Sequence, residues 1–306
     1  MIPAAEPQPP AVELPAPGRG SVHLADNLDV LRRLPPAAFA LVYIDPPFNT
    51  GRIQRRTSLR AVRSLDGDRV GFGGHRYRTE RTATSAFPDV HDDYLAFLEP
   101  RLREAWRVLG PSGTLYVHLD YREVHHVKVL LDGLVGRDRF LNEIIWAYDY
   151  GARSRRRWPA KHDNILVYVK DRDAYWFDSA EVDREPYMAP GLVTGEKASL
   201  GKLPTDVWWH TIVSPTGREK TGYPTQKPEG VLRRIVAAST RPGEPVLDFF
   251  AGSGTTGAVA RRLGRGFVLI DSSPEAFAVM RRRLGDDGVD YVTWPAPAVG
   301  DDPTRR

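Results

Sequence analysis

The chain has 306 residues, 41% of them hydrophobic and 27% charged, enough for a large core plus an appended region in an ordinary globular protein. It contains no cysteine, which excludes disulfides, thiolate-held zinc or iron–sulfur centres and any mechanism with a cysteine nucleophile. The net charge of +4 is too small to imply a partner, so the placement of the basic residues must carry that information.

Residues 1–20 are rich in proline and alanine, with no early cation and no apolar core of the kind a secretory signal needs, and read as a disordered tail. No apolar run approaches the ~18 residues that span a bilayer, so no membrane partner and a cytoplasmic location are expected. "SVHL" (21–24) is a short strand. "DNLDVLRRL" carries Leu28, Leu31 and Leu34 at helical spacing, with Asp26 or Asn27 as N-cap and Pro35-Pro36 as its stop. "FALVYID" is a buried strand that ends on Asp45. From 49 to 88 the chain is polar, with no sustained period, and reads as a long mobile loop. A helix is expected over 89–109, with Leu95, Leu98, Leu102, Ala105, Trp106 and Leu109 on one face, then a strand over 113–120, a helix over "REVHHVKVLLDGL" and a strand from Phe140. From Gly151 to Thr221 there are only short β-like pieces such as "NILVYV", and the region reads as an inserted module. Regular texture returns as helix ("TQKPEGVLRRIVAAS"), strand ("EPVLDFF"), helix, strand ("GFVLID") and helix, with "VDYVTW" as an edge strand.

Strands alternating with helices imply an α/β fold, a doubly wound, mostly parallel sheet whose ligands lie beyond the carboxyl ends of the strands. Acids recur at those ends: Asp45, Asp120, Asp248 and Asp271. Gly252-x-Gly254-x-x-Gly257 follows a strand and opens a helix, and the next strand ends on Asp271, an acceptor for ribose hydroxyls. This pattern points to a nucleoside-containing cofactor. No lysine follows the last glycine, so it is not a phosphate-binding Walker loop. His125, His126, His162 and His210 have no metal-ligand spacing, and no metal is expected.

"DPPF", then a basic variable region, then "TQKP" and "DFFAGSGTTG" stand in an order that resembles the amino-group DNA methyltransferases of the β arrangement, over roughly 21–284. The resemblance implies a Rossmann-like, S-adenosylmethionine-dependent fold with circularly permuted motifs. It implies two halves of one methyltransferase domain, 21–139 and 222–294, around a target-recognition region at 140–221, with a tail at 295–306. It implies that Asp26, with Asn27, contacts the cofactor adenine and that Lys227 meets its carboxylate. Asp248 and the loop Phe249, Phe250, Ala251, Gly252, Ser253, Gly254, Thr255 and Thr256 would line its methionine side, and Asp271 would hold the ribose. The family often has Glu at this last position.

The chemistry gives "DPPF" a purpose. The exocyclic amine of a base is a poor nucleophile because its lone pair is delocalised into the ring. An acceptor on each N–H favours a more tetrahedral nitrogen. Asp45 supplies one acceptor and the Pro46 carbonyl the other, while Pro46 and Pro47 fix the backbone and remove two competing donors. Phe48 stacks on a base that has left the duplex. Methylation at cytosine C5 needs a cysteine and is excluded. Asp at the first motif position accompanies adenine N6 in the family and Ser accompanies cytosine N4, so site-specific methylation of N6 of adenine is expected. Cytosine N4, an RNA target, a catalytically silent DNA-binding protein and a nicotinamide oxidoreductase are the alternatives. Duplex DNA would be held by Arg153, Arg155, Arg156, Arg157 and Lys161 around Trp158, and by Arg52, Arg55 and Arg56 after "DPPF". A homodimer and a cognate restriction endonuclease are further partners that the sequence leaves open.

Overall fold

The computed structural model describes residues 12–47, 93–151, 153–214 and 217–295, and the backbone of strands at 52–63, 69–70 and 76–89. In chain order the first unit contains β1 (Gly20–Leu24), α1 (Asn27–Leu31) and β2 (Phe39–Ile44). A second compact unit, Pro47–Tyr94, contains β3 (Arg52–Arg63), β4 (Arg69–Val70) and β5 (Arg76–Asp89). The first unit then resumes with α2 (Tyr94–Val108), β6 (Leu109–Leu119), α3 (Val124–Val135), β7 (Phe140–Ala147) and β8 (His162–Val169). It ends with α4 (Gly195–Leu200), β9 (Val207–Trp209), α5 (Glu229–Ser239), β10 (Pro245–Asp248), α6 (Thr255–Arg262), β11 (Gly266–Asp271), α7 (Pro274–Leu284) and β12 (Val289–Thr293).

Among the described residues the first unit holds a nine-stranded sheet in the order β12-β1-β11-β10-β2-β6-β8-β7-β9. From β12 to β6 every pairing is parallel; β8 then runs antiparallel to both β6 and β7, and β9 is parallel to β7. A parallel strand covered on both faces needs a continuous apolar run, and β2 has one: Leu41, Val42, Tyr43 and Ile44 are all buried. Leu41 and Tyr43 belong to the core cluster that also contains Val231, Leu232 and Ile235 of α5, Val259 and Ala260 of α6, and Ala276 and Met280 of α7.

The antiparallel direction of β8 shapes the carboxyl edge of the sheet. It brings the start of that strand to the edge where its neighbours end, since Leu119 is in register with Asn164. The edge therefore collects Asp26 after β1, Asp45 after β2, Asp120 after β6, Asp163 in β8, Asp248 at the end of β10 and Asp271 at the end of β11.

Several expectations need correction. The segment 49–88, read as a loop, contains β3 and β5 in a long antiparallel pairing, Arg52 opposite Asp89 through Arg63 opposite Tyr77, with β4 beside β5. Neither strand alternates apolar and polar residues, so periodicity could not reveal them; the β-branched Ile53, Thr57, Val62, Thr79, Thr82 and Thr84 were the available signal. The region 140–221 is not wholly irregular, because β7 and β8 are interior strands of the main sheet. The pairing of β8 with β6, which brings both into that sheet, is long-range and leaves no local trace. The N-terminal tail stops short of residue 20: Gly20 opens β1, and the Arg19 carbonyl already accepts from the Phe267 N–H at 3.1 Å.

Candidate active site

The residues expected at the site converge at the carboxyl edge of β1, β2, β10 and β11. Asp45 follows β2 directly. Its Oδ2 lies 2.9 Å from Lys227 Nζ, with the two side chains only 14% and 11% exposed. Its Oδ1 is buried and has no hydrogen-bond partner among the described residues. A buried carboxylate oxygen without a donor is costly and rare, and it marks a place where a donor from outside the chain is accommodated. Pro46 is buried beside it, and neither Pro46 nor Pro47 has an N–H to compete. Phe48 lies outside the described residues.

Lys227 is placed by the segment before α5. Its carbonyl accepts from Thr255 Oγ1 at 3.1 Å, which ties "TQKP" to the start of α6. The positive charge of Lys227 also reaches Asp163. That carboxyl accepts from Tyr148 Oη at 3.0 Å and lies 3.1 Å from His118 Nε2, and His118 Nδ1 in turn lies 2.8 Å from Tyr43 Oη. Burial works against ionisation of Asp163, but the His118 bond, the Lys227 charge and the Tyr148 bond outweigh it and bring its pKa down to about 2. Asp163 is thus a stable anion, and the chain Tyr43–His118–Asp163–Tyr148 crosses four neighbouring strands or strand ends under the edge.

The glycine loop holds itself together. Thr256 Oγ1 donates to Asp248 Oδ2 at 2.6 Å, the Phe250 N–H donates to Asp248 Oδ1 at 3.1 Å, and the Ser253 and Thr255 hydroxyls are 3.1 Å apart. Phe249, Ala251, Ser253, Thr255 and Thr256 are buried, so of the expected lining residues only Phe250 and the backbone at Gly252 keep appreciable surface. Gly254 sits at φ +71°, and a Cβ there would come 2.8 Å from Met280 Cγ; the turn into α6 requires a glycine. Asp248 is fully enclosed, and burial raises its pKa to about 7 despite its two donors. Asp271 accepts from the Gly252 N–H at 2.8 Å through Oδ2 and from the Ser273 N–H at 2.9 Å through Oδ1, which leaves a lone pair on each oxygen. Burial raises its pKa also.

Asp26 caps α1, accepting from the Leu28 N–H at 2.8 Å. It is braced by Arg101, a residue that sequence reasoning missed. Arg101 is 2% exposed; its Nε donates to Asn27 Oδ1 at 2.7 Å, its Nη1 to the Phe97 carbonyl at 2.8 Å, and its Nη2 lies 3.3 Å from Asp26 Oδ2. Asn27 Nδ2 donates to the Phe249 carbonyl at 2.8 Å. One buried guanidinium therefore links the end of β1 to the start of the glycine loop. The signal was in the sequence: Arg101 falls between Leu98, Leu102 and Ala105 on the apolar stripe of α2, where a cation needs a reason.

This donor and acceptor set fits S-adenosylmethionine. It offers carboxylate acceptors for ribose hydroxyls at Asp271, a cation for an amino-acid carboxylate at Lys227, and aromatic surface at Phe250 and Phe97, whose rings are 6.1 Å apart, for an adenine. Of the expected DNA contacts, Arg153, Arg155, Arg156, Arg157 and Trp158 are all exposed in the loop between β7 and β8. Lys161 differs: its Nζ donates to Asp149 Oδ1 at 2.6 Å and so closes the base of that loop. Arg52, Arg55 and Arg56 lie in β3, opposite Asp89, Ala86 and Ser85.

Comparison with known proteins points the same way. A DNA methylase family model, for N6 and N4 methyltransferases, matches residues 39–282. Type II methyltransferase M.HpaI of Haemophilus parainfluenzae is 27% identical over 289 residues, covering 92% of this chain and 81% of the relative. DNA adenine methyltransferase YhdJ of Escherichia coli (strain K12) is 29% identical over 267 residues, covering 85% and 80%. Among solved structures, the cytosine-N4-specific PvuII DNA methyltransferase superposes with a TM-score of 0.61 at 18% identity, covering 90% of this chain and 91% of its own. Other solved structures of this fold are complexes with S-adenosyl-L-methionine.

Proposed function

The chain belongs to the N6/N4 DNA methylase family, whose members are S-adenosylmethionine-dependent, and we propose that it methylates N6 of an adenine flipped out of duplex DNA. The observation that carries the reading is the Oδ1 of Asp45, buried and without a hydrogen-bond partner among the described residues, next to a proline pair that brings no N–H of its own to the site.

Bound at the neighbouring edge, the cofactor supplies an electrophilic methyl group. The rest is done by the chain. Asp45 Oδ1 accepts one N–H of the target amine, and the Pro46 carbonyl accepts the other. Together they draw the nitrogen lone pair out of the ring and hold it in line for attack. The nitrogen gains a methyl and must shed a proton, for which Asp45 Oδ1 is the adjacent acceptor. Lys227 keeps the other oxygen of Asp45 occupied, which fixes the rotamer.

Adenine is favoured over cytosine by the Asp at the head of "DPPF" and by the likeness to an adenine methyltransferase; the PvuII neighbour makes cytosine N4 the second reading. The exposed arginines 153 and 155–157 suit phosphate contacts, and the irregular part of 140–221 suits target recognition. A cytoplasmic location, a homodimer and a cognate restriction endonuclease belong to the same proposal; among the described residues no helix is long and apolar enough to cross a membrane. Incubation with methyl-labelled S-adenosylmethionine and mixed-sequence duplex DNA, then digestion to nucleosides, should place the label in N6-methyladenine. Label in N4-methylcytosine would select the second reading, and unlabelled DNA would reject both.

A further inference from the structure

At the far end of the same edge, beyond β7 and β9, lies an open cavity of about 450 Å³ walled by Tyr148, Tyr150, Trp209 and His210. We propose that it is a second nucleobase site, one that holds an unstacked nucleotide of the DNA a few base steps from the methylated one. The inference rests on DNA being the substrate.

Two of its walls are aromatic rings left in water: Trp209 is 75% exposed and Tyr150 is 65% exposed. In β9 the neighbouring Trp208 is buried, so the strand turns one indole into the protein and the next one out. Exposed aromatic rings beside cations are the usual platform for unpaired bases, since every base has a face to stack. The cations are at hand. The loop that leaves Tyr148 and Tyr150 carries the exposed Arg153, Arg155, Arg156 and Arg157, and the one acid in the wall, Asp149, is neutralised by Lys161. An anion-bearing ring, not a neutral apolar ligand, is what this combination fits.

The walls are also held rigidly. Tyr148 donates its hydroxyl to Asp163, and its N–H donates to the Lys161 carbonyl at 3.0 Å. The His210 N–H donates to the Ala147 carbonyl at 3.1 Å, and the His210 carbonyl accepts from Trp146 Nε1 at 2.7 Å. Such fixing lowers the cost of ordering a ligand.

The cavity is too far from Asp45 to be the place of the reacting base. Between the ends of β2 and β7 stand β6 and β8, which makes three strand spacings, about 14 Å. At about 3.4 Å per base step, that distance is about four steps along a stacked strand. The Tyr43–His118–Asp163–Tyr148 chain spans this interval, so the strand that carries Asp45 and the wall of the cavity form one bonded unit.

The test uses the full-length protein and a duplex containing its methylated context, with 2-aminopurine substituted at successive positions outside the target in either strand. With the wild type, one such position should show the fluorescence of an unstacked base. Trp209→Ala should remove that signal and weaken DNA binding between about fivefold and about 150-fold, the range that base–aromatic stacking supplies. Trp209→Phe should restore most of both, and S-adenosylmethionine binding by calorimetry should be unchanged in each variant. If the wild type methylates DNA but unstacks no second base, or if Trp209→Ala matches the wild type in signal and affinity, the second site is wrong while the function stands. If the wild type neither binds nor methylates DNA, both fall.

Discussion

Replacing Asp248 by Asn should stabilise the protein most at alkaline pH, clearly less in mild acid and hardly at all below about pH 4. Asp248 is 3% exposed, and burial raises its carboxyl from 3.8 to about 7, against the opposing help of Thr256 Oγ1 and the Phe250 N–H; Asp45 and Asp271 push in the same direction as burial. Between about pH 4 and pH 7 the folded chain therefore keeps a proton that the unfolded chain has released, so folding stability falls as pH rises through that window. A carboxyl raised that far costs about 4 kcal/mol at most, fully felt above pH 7. Asn is neutral at every pH and can reproduce both bonds, its oxygen accepting from Phe250 and its amide donating to Thr256. Urea unfolding of the unliganded protein at pH 5 and pH 8 measures the difference. The variant should exceed the wild type by a few kcal/mol at pH 8, about 2–4, and by no more than about 2 kcal/mol at pH 5, roughly half as much or less. An equal difference at both pH values would show that Asp248 is not held near neutrality and that the enclosed base of the glycine loop has been misread.

Asp45→Asn should lower kcat/KM for methyl transfer by about 100-fold to 1,000-fold, the usual loss for one preorganised polar contact, while the S-adenosylmethionine dissociation constant from calorimetry stays within about threefold. Arg101→Leu leaves Asn27 Oδ1 buried without its donor and the half-buried Asp26 without its cation, so urea unfolding should show a loss of about 3 kcal/mol. Gly254→Ala forces a side chain into a left-handed turn and against Met280; it should cost about 1–2 kcal/mol in the same assay and weaken S-adenosylmethionine binding measurably.

The sequence made the parallel half of the sheet legible because its strands are short apolar runs that stop on acids. "FALVYI" and "GFVLID" appear in the structure as β2 and β11, and the acids that end the strands share one edge as expected. The Asp26 cap was legible for the same local reason, a short acid before a helical period. What stayed hidden depends on partners distant in sequence. That Asp163 belongs to the edge results from β8 running antiparallel, and nothing in "HDNILVYV" shows strand direction. That Lys227 pairs with Asp45 results from α5 starting over the end of β2. The strands β3 and β5 were missed because they lack the alternation that one-sided burial imposes, and because arginine-rich stretches read as solvated loop.

The central claim is that Asp45 and the Pro46 carbonyl present an adenine amine for methylation in a specific duplex context. Its most direct test is long-read sequencing of DNA recovered from a methylation-free host that expresses this chain, beside a host expressing Asp45→Ala. The account predicts N6-methyladenine at one recurrent sequence with the wild type and none with the variant. Unmodified DNA from the wild-type host, N4-methylcytosine in its place, or undiminished methylation by the variant would contradict it.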